Sequence, residues 1–537
     1  MTPPLCLKAI LFDFDGTLTR PGALDWSMIK NEIECPLDQT VLEFIQSLPE
    51  NKQPIAMKKL DDFEHSGAIN SQPNDMAEEI VLWFRSQGIP LGIISRNSLK
   101  CIRLAFNCFK KIKISDFEFV ISRDDPISPK PSPDGILLAA DKFGLDPQAL
   151  LIVGDFVADI QAGKAAGAIT VYLNSTRTPL PTNVNSDFQI DKLTDLKEII
   201  RWRLPLSPGK LPNNYLGDFI NEMNITDPSV LIPPGVGEDI TAVDVKANDT
   251  IVLKSDPITF PAKSLADYAV RINANDIATS GAQPKWFLTT LLFPPGSCAF
   301  EIRELMLELN ALCQGLGISL CGGHTEITEA VTRPVITGML VGTVDRSKLI
   351  RKQDMTQGDC VLLTKGIAVE GTSIIAREFN EKLKSLGMSE REIDISKQYL
   401  NQLSILEEAG IAAESKGITA MHDVTEGGLA TALAELSQAG KHQIRIEMEK
   451  IPILPQTEQI CRLLDLYPLG LIGSGSLIIC CNKDSCNDLM KRIKTAGIEV
   501  NKIGEVMEPG TGIVASLHDR PYPWPQFEVD ELTKLYQ

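Results

Sequence analysis

An apolar run that ends in two acids one residue apart constrains this chain more than any other stretch: Ile10-Leu11-Phe12-Asp13-Phe14-Asp15-Gly16-Thr17-Leu18. Such a segment reads as a strand buried on both faces, the kind found in parallel sheets with helices above and below. The strand delivers Asp13 and Asp15 to its carboxyl end, the rim where open α/β sheets bind ligands. Two carboxylates that close repel and call for a counter-cation, and hard oxygen donors suit Mg²⁺. One acid is then placed to attack phosphorus while the other moves a proton.

Three further pieces follow in order. Leu91–Ile94 is a second apolar strand ending in Ser95-Arg96-Asn97, and Ser128-Pro129-Lys130-Pro131-Ser132-Pro133 holds a lysine in a proline-stiffened segment. Leu150–Gly154 is a third strand ending in Asp155, with Asp159 beyond it. In this order the four pieces resemble the haloacid dehalogenase superfamily of phosphohydrolases over roughly residues 5–200. The resemblance implies Asp13 as a nucleophile forming an aspartyl-phosphate and Asp15 as general acid/base. It implies Ser95 and Lys130 as phosphate and charge stabilisers. Asp13, Asp15, Asp155 and Asp159 become the expected Mg²⁺ residues. Positioning and charge neutralisation are what phosphoryl transfer chiefly demands.

Between Asp15 and Ser95, helical spacing recurs at Trp26/Ile29/Ile33, Val41/Phe44/Ile45/Leu48 and Met76/Ile80/Val81/Phe84. These predict a small helical cap over about residues 20–86, of the kind that excludes water and selects substrate. A compact cap favours a small phosphorylated metabolite. The turn-rich Leu204–Gly209 stretch marks a boundary, giving a first domain of 1–206.

At 537 residues and a net charge of −18, the chain needs several cores and repels nucleic acid and anionic membranes. Its twelve cysteines include no C-x-x-C pair, which argues against a disulfide framework or a zinc site. No apolar run approaches the roughly 20 residues of a membrane span, and the start carries no leader pattern. The expectation is a soluble protein of the reducing cytoplasm.

The second half repeats acids and glycines at strand ends. Pro233–Asp239 is a glycine-rich turn ending in Glu238 and Asp239, Thr250–Lys254 is a strand running into Ser255-Asp256, and Asn275-Asp276 precede Gly281. Ile318–Cys321 opens onto Gly322-Gly323-His324-Thr325-Glu326. Glycines admit phosphate close to backbone, and scattered carboxylates hold the Mg²⁺ ions of a triphosphate. Lys365-Gly366 at a strand end and His422-Asp423 are further anion or substrate candidates. With Asp423-Val424-Thr425-Glu426-Gly427-Gly428-Leu429 and Ser207–Pro212, these pieces resemble the aminoimidazole-ribonucleotide (AIR) synthase superfamily over 208–537, and within it the hydrogenase-maturation carbamoyl dehydratase.

The expected fold class is therefore α/β: a Rossmann-like phosphohydrolase domain with a cap, then an α+β AIR synthase-like module of two subdomains, 207–350 and 351–537. The resemblance implies Glu238, Asp239, Asp256 and Asp276 as Mg²⁺–ATP ligands. It sets Asn275, Gly322, Gly323, His324, Thr325 and Glu326 around the phosphates. Lys365, Asp423, Gly427 and Gly428 would lie near substrate. It also implies a homodimer through the first subdomain. Two departures bear on the reaction: the dehydratase's terminal cysteine is replaced by Leu532-Thr533-Lys534-Leu535-Tyr536-Gln537, and Glu238 stands where many relatives carry Asp. The second half thus reads as a module activating a substrate with ATP. A thiamine-monophosphate-type kinase and a non-catalytic nucleotide-binding assembly protein are the alternatives.

Overall fold

The computed structural model describes residues 6–22, 26–36, 39, 41–175, 180–206, 209–223, 226–235, 241–258 and 264–536. Two compact units divide the chain, one of 1–207 with 296–302 and one of 208–295 with 303–537.

The first unit is built on a parallel sheet of β1 (Ala9–Phe12), β2 (Leu91–Ile94), β3 (Phe119–Ile121), β4 (Leu150–Gly154), β5 (Ile169–Leu173) and β6 (Phe188–Ile190), in the order β3-β2-β1-β4-β5-β6. Successive side chains of a strand point to opposite faces. Ile10 and Phe12 enter one core with Leu151 and Val153, while Ala9 and Leu11 enter the other with Leu150 and Ile152. Two cores, one per face, explain why β1 and β4 are apolar at every position. The strand order reverses between β2 and β4 around β1, and ligands of such sheets bind outside the carboxyl ends at that switch.

The insert between β1 and β2 holds α1 (Trp26–Ile33), α2 (Val41–Ser47), α3 (Gln53–Asn70) and α4 (Ala77–Ser86). Ile29, Ile33, Val41, Leu42, Ile45, Ala56 and Leu60 make a separate small core, which is the cap. The expected cap of 20–86 is too long by α4. Ala77, Ile80, Val81 and Phe84 pack with the sheet instead, because that helix leads straight into β2 and its apolar stripe faces the main core.

The second unit holds two large sheets. Strand β8 (Val230–Ile232) pairs with β9 (Ala242–Val243), while β10 (Asp249–Ile258), β11 (Gln283–Phe293), β12 (Ser319–Ile327) and β13 (Val335–Asp345), with β7 (Gly209–Lys210), form a mixed sheet ordered β10-β13-β11-β12-β7. The helix Leu265–Ala278 packs on it, burying Tyr268, Asn273 and Asn275. A seven-stranded sheet follows from β14 (Cys360–Thr364), β15 (Ile418–Asp423), β16 (His442–Glu447), β17 (Leu477–Cys481), β18 (Val500–Pro509), β19 (Ile513–Leu517) and β20 (Arg520–Tyr522), ordered β15-β17-β14-β18-β16-β19-β20. Cys480 and Cys481 are fully buried on β17, and all twelve cysteines are free thiols.

Two segments read as strand ends are strand interiors. Asp256 lies within β10, opposite Gly338 of β13, and Gly322–Glu326 continue β12, paired along β11 from Leu288 to Leu292. Glycine at 322 and 323 suggested a turn. Gly323 lies within β12 at φ 153°, a backbone that disfavours a side chain, and a Cβ there would stand 2.1 Å from Thr289 O, so glycine serves close strand approach. Among the described residues, no helix is long and apolar enough to cross a membrane.

Candidate active site

Asp13 follows β1 directly and donates its backbone N–H to Val153 O of β4 at 2.8 Å. The chain then turns through Phe14–Leu18, with Asp15 extended and Gly16 left-handed at φ 82°. A Cβ on Gly16 would stand 2.0 Å from Asp155 Oδ2, so this glycine both makes the turn and lets Asp155 approach. Asp155 follows β4, and Asp159 sits in the first turn of the helix Val157–Ala166, where it accepts the Phe156 N–H at 3.1 Å.

Lys130 reaches the same rim from the segment before the helix Asp134–Phe143. It is only 4% exposed, and its ammonium donates to Asp13 Oδ1 at 2.5 Å, to Ile94 O at 3.1 Å and to Asp159 Oδ1. An ammonium has three protons, and all three are used. Burial opposes that charge, yet Asp13 and Asp159 hold Lys130 firmly protonated. Ser95, at the end of β2, is buried and its Oγ accepts the Asn97 N–H at 3.2 Å. One cavity of about 400 Å³ is lined by Asp13, Asp15, Ser95, Lys130, Asp155 and Asp159 together.

Oxygens of Asp13, Asp155 and Asp159 lie within 4.8 Å of one another. Three acids, Asp13 and Asp159 buried and Asp155 half-buried, face one ammonium. Burial drives the Asp13 carboxyl well above its ordinary range, against the pull of Lys130 and with Asp159 and Asp155 adding to the rise. Burial, then Asp159, pushes Asp155 up to about 7. A surplus of buried carboxylate with oxygen-only donors fits a hard divalent cation. Asp15 is not in that trio. Its carboxylate accepts from Asn97 Nδ2, and burial pushes it up to about 6 against that hydrogen bond.

Three residues of this site carried no role in the sequence reading. Asn97 holds Asp15, and Asn74 Nδ2 donates to Gly16 O at 3.1 Å and Thr17 O at 2.9 Å, fixing the acid-bearing turn. Glu64 of α3 lines the cavity and pairs with Arg123. Only Asn97 had a local signal, two residues after Ser95; the others are brought in by tertiary packing.

The second unit gathers its expected residues less closely. Glu238 and Asp239 lie outside the described residues. Asp256 and Asp276 share Lys254, at 3.0 and 3.3 Å. Burial, then Asp423, pushes Asp276 up to about 7. Asp423 is 3% exposed, and among the described residues its Oδ2 has no hydrogen-bond partner. Its neighbour His422 meets Lys352 Nζ at 3.0 Å and Glu435 Oε2 at 3.2 Å. Gly427 begins the next helix and donates its N–H to Asp530 Oδ2 at 2.7 Å, and Gly428 approaches Leu469 O so closely that a Cβ would stand 2.4 Å away.

Three expectations are corrected. Asn275 does not face a phosphate site: its amide spans Leu403 O at 2.7 Å and Ile405 N at 3.0 Å, tying the helix Leu265–Ala278 to the second subdomain. Lys365 is likewise spent, on Gln402 O, Ser404 O, Gly475 O and, at 2.8 Å, Glu408. Gly322, Gly323, His324 and Thr325 line a separate, largely apolar cavity of about 350 Å³ that includes neither Asp256 nor Asp276. Glu326 Oε2 lies 3.5 Å from His324 Nε2.

Comparison with known proteins follows this division. The haloacid dehalogenase-like hydrolase model matches residues 7–167. The N-terminal domain model of AIR synthase related proteins matches 237–344, and the C-terminal one 356–515. A haloacid dehalogenase-like hydrolase domain-containing protein of Arabidopsis thaliana is 28% identical, over 38% of this chain and 87% of its own length. Carbamoyl dehydratase HypE of Cupriavidus necator is 27% identical, over 52% of this chain and 79% of its own. The crystal structure of E. coli HypE shares the fold, with a TM-score of 0.52 at 19% identity over 60% of this chain and 99% of that one. The first part of the chain therefore matches a haloacid dehalogenase-like hydrolase domain, and the second the N- and C-terminal domains of AIR synthase related proteins.

Proposed function

We propose that the first unit hydrolyses a small phosphomonoester with Mg²⁺ and that the second binds ATP and activates a substrate by phosphorylation. The observation that carries the first half is the meeting of Asp13, Asp15, Lys130, Asp155 and Asp159 around one cavity. Asp13, Asp155 and Asp159 would hold the cation, which when bound neutralises phosphoryl oxygens. Asp13 Oδ attacks phosphorus, the P–O bond to the leaving alcohol breaks, and an aspartyl-phosphate forms on Asp13. Asp15, pushed up to about 6 and oriented by Asn97, gives its proton to the departing oxygen, then takes one from the water that attacks the acyl phosphate. Lys130 offsets the charge on Asp13, and Ser95 Oγ is placed to donate to a phosphoryl oxygen. Purified protein should release p-nitrophenol from p-nitrophenyl phosphate with Mg²⁺ and fall silent after chelation. An equal rate in excess chelator overturns the reading.

For the second half, the support is the buried Asp423 Oδ2, an acceptor that has no partner among the described residues, whose charge acts on Asp276 and which a bound cation would satisfy. Asp256, Asp276 and Asp423 would take Mg²⁺ with the nucleotide. Calorimetric titration with Mg²⁺–ATP tests this: the wild type binds, and Asp423→Asn or Asp276→Asn weakens binding at least tenfold. No heat for the wild type overturns it. The same reading makes the protein a homodimer of the reducing cytoplasm, checked by light scattering.

A further inference from the structure

The phosphohydrolase cavity has two charge poles, and only one is used by the chemistry above. At the acidic pole, Lys130 is fully committed to Asp13, Asp159 and Ile94 O. Glu64 is paired with Arg123, and Arg20 with Asp75 at 2.7 Å. Arg96 also lines the cavity, one residue past Ser95. Among the described residues its half-buried guanidinium has no hydrogen-bond or ion-pair partner. Val41 and Leu42 of the cap helix α2 line the same cavity, so Arg96 shares it with the cap.

Its backbone is held in place. Ser95 donates its N–H to Ile121 O at 2.9 Å, and Asn97 O accepts from Arg123 N at 3.0 Å. A half-buried guanidinium without a hydrogen-bond or ion-pair partner is costly in a resting protein. Its planar fork of N–H donors matches a carboxylate or a phosphate bidentately. Val41, Leu42 and Leu60 supply apolar wall to the same cavity, whose volume of about 400 Å³ has room for little beyond a short organic chain.

We infer that the substrate is a short phosphomonoester bearing a second anionic group at its far end, and that Arg96 is the specificity-determining residue that binds this group. The inference rests on the phosphohydrolase reading of the same cavity. Phosphorylated hydroxy acids of two to four carbons and bisphosphates of matching length share the required chemistry.

The test measures kcat/KM of the full chain with Mg²⁺ on three sets of esters: neutral alkyl phosphates, phosphorylated hydroxy acids and short bisphosphates. Wild type should favour at least one of the two anionic sets over alkyl phosphates of equal length by tenfold or more. Arg96→Ala should shrink that preference at least tenfold, mainly through KM, and Arg96→Lys should restore part of it. Equal rates on all three sets overturn the inference while sustaining the phosphohydrolase reading. So does an Arg96→Ala loss that is the same for neutral and anionic esters, which would place Arg96 on the phosphate itself. No hydrolysis of any ester overturns both.

Discussion

Lys130 joins Asp13 to Asp159: one buried ammonium bridges the acid that ends β1 and the acid that opens the helix after β4. The three residues come from chain positions up to 146 apart, 13 to 159, and meet only because β1 and β4 are neighbours in the sheet. Removing one partner of a buried ion pair leaves the other uncompensated, at roughly 3–5 kcal/mol. Lys130→Met should therefore lower unfolding stability by about that much in urea titration. Lys130→Met combined with Asp159→Asn should recover part of it. Additive losses would mean that the bridge is not a coupled unit.

Gly16→Ala should damage the site without touching a catalytic group. The left-handed backbone costs a non-glycine residue on the order of 1–2 kcal/mol, and the new methyl would displace Asp155. The expected outcome is a Mg²⁺ activation midpoint raised about tenfold or more in the phosphatase assay. An unchanged midpoint would show that Asp155 does not serve the cation.

Glu64 ties stability to pH. Burial pushes its carboxyl from 4.5 up to about 7, although Arg123 pulls the other way. A raised carboxyl favours the protonated folded form, so its stabilisation is complete below 4.5 and is lost as pH rises through about 7. Relative to Glu64→Gln, the wild type should lose up to about 3 kcal/mol across that window. Parallel curves of melting temperature against pH for the two proteins would contradict this.

Asn275→Ala should destabilise the second unit rather than abolish a nucleotide contact. It would orphan the Leu403 carbonyl and the Ile405 N–H, at roughly 1–3 kcal/mol for each buried group left unpaired. Thermal melts should show the loss, with Mg²⁺–ATP affinity of the folded fraction little changed. A selective loss of affinity at unchanged stability would return Asn275 to the phosphates.

The first site was legible in the sequence because each of its acids sits at the end of an apolar run. Strand, end and side chain are written within six residues at Asp13 and again at Asp155, and buried parallel strands leave few other readings. Asp15 lines the rim cavity with Asp13, and its tie to Asn97 depends on β2 lying beside β1. The second site was less legible for a physical reason. Glycines at 322 and 323 allow a turn and also allow tight strand packing, and only the pairing of β12 with β11 decides between them. Asn275 was set near phosphate by the family resemblance, and in the fold its amide takes the backbone of Leu403 and Ile405. Lys365 is a similar case: a lysine beside glycine suggests an anion, and three carbonyls and Glu408 take it first.

The central claim is that Asp13 becomes phosphorylated, and trapping that adduct tests it most directly. Wild-type protein mixed with Mg²⁺ and a phosphomonoester, quenched in acid within the turnover time and digested, should yield the peptide containing Asp13 with one added phosphoryl group. The adduct should vanish on Asp13→Asn substitution and on chelation before mixing. Hydrolysis that proceeds at wild-type rate in Asp13→Asn, or a phosphoryl group found on another residue, would contradict the account.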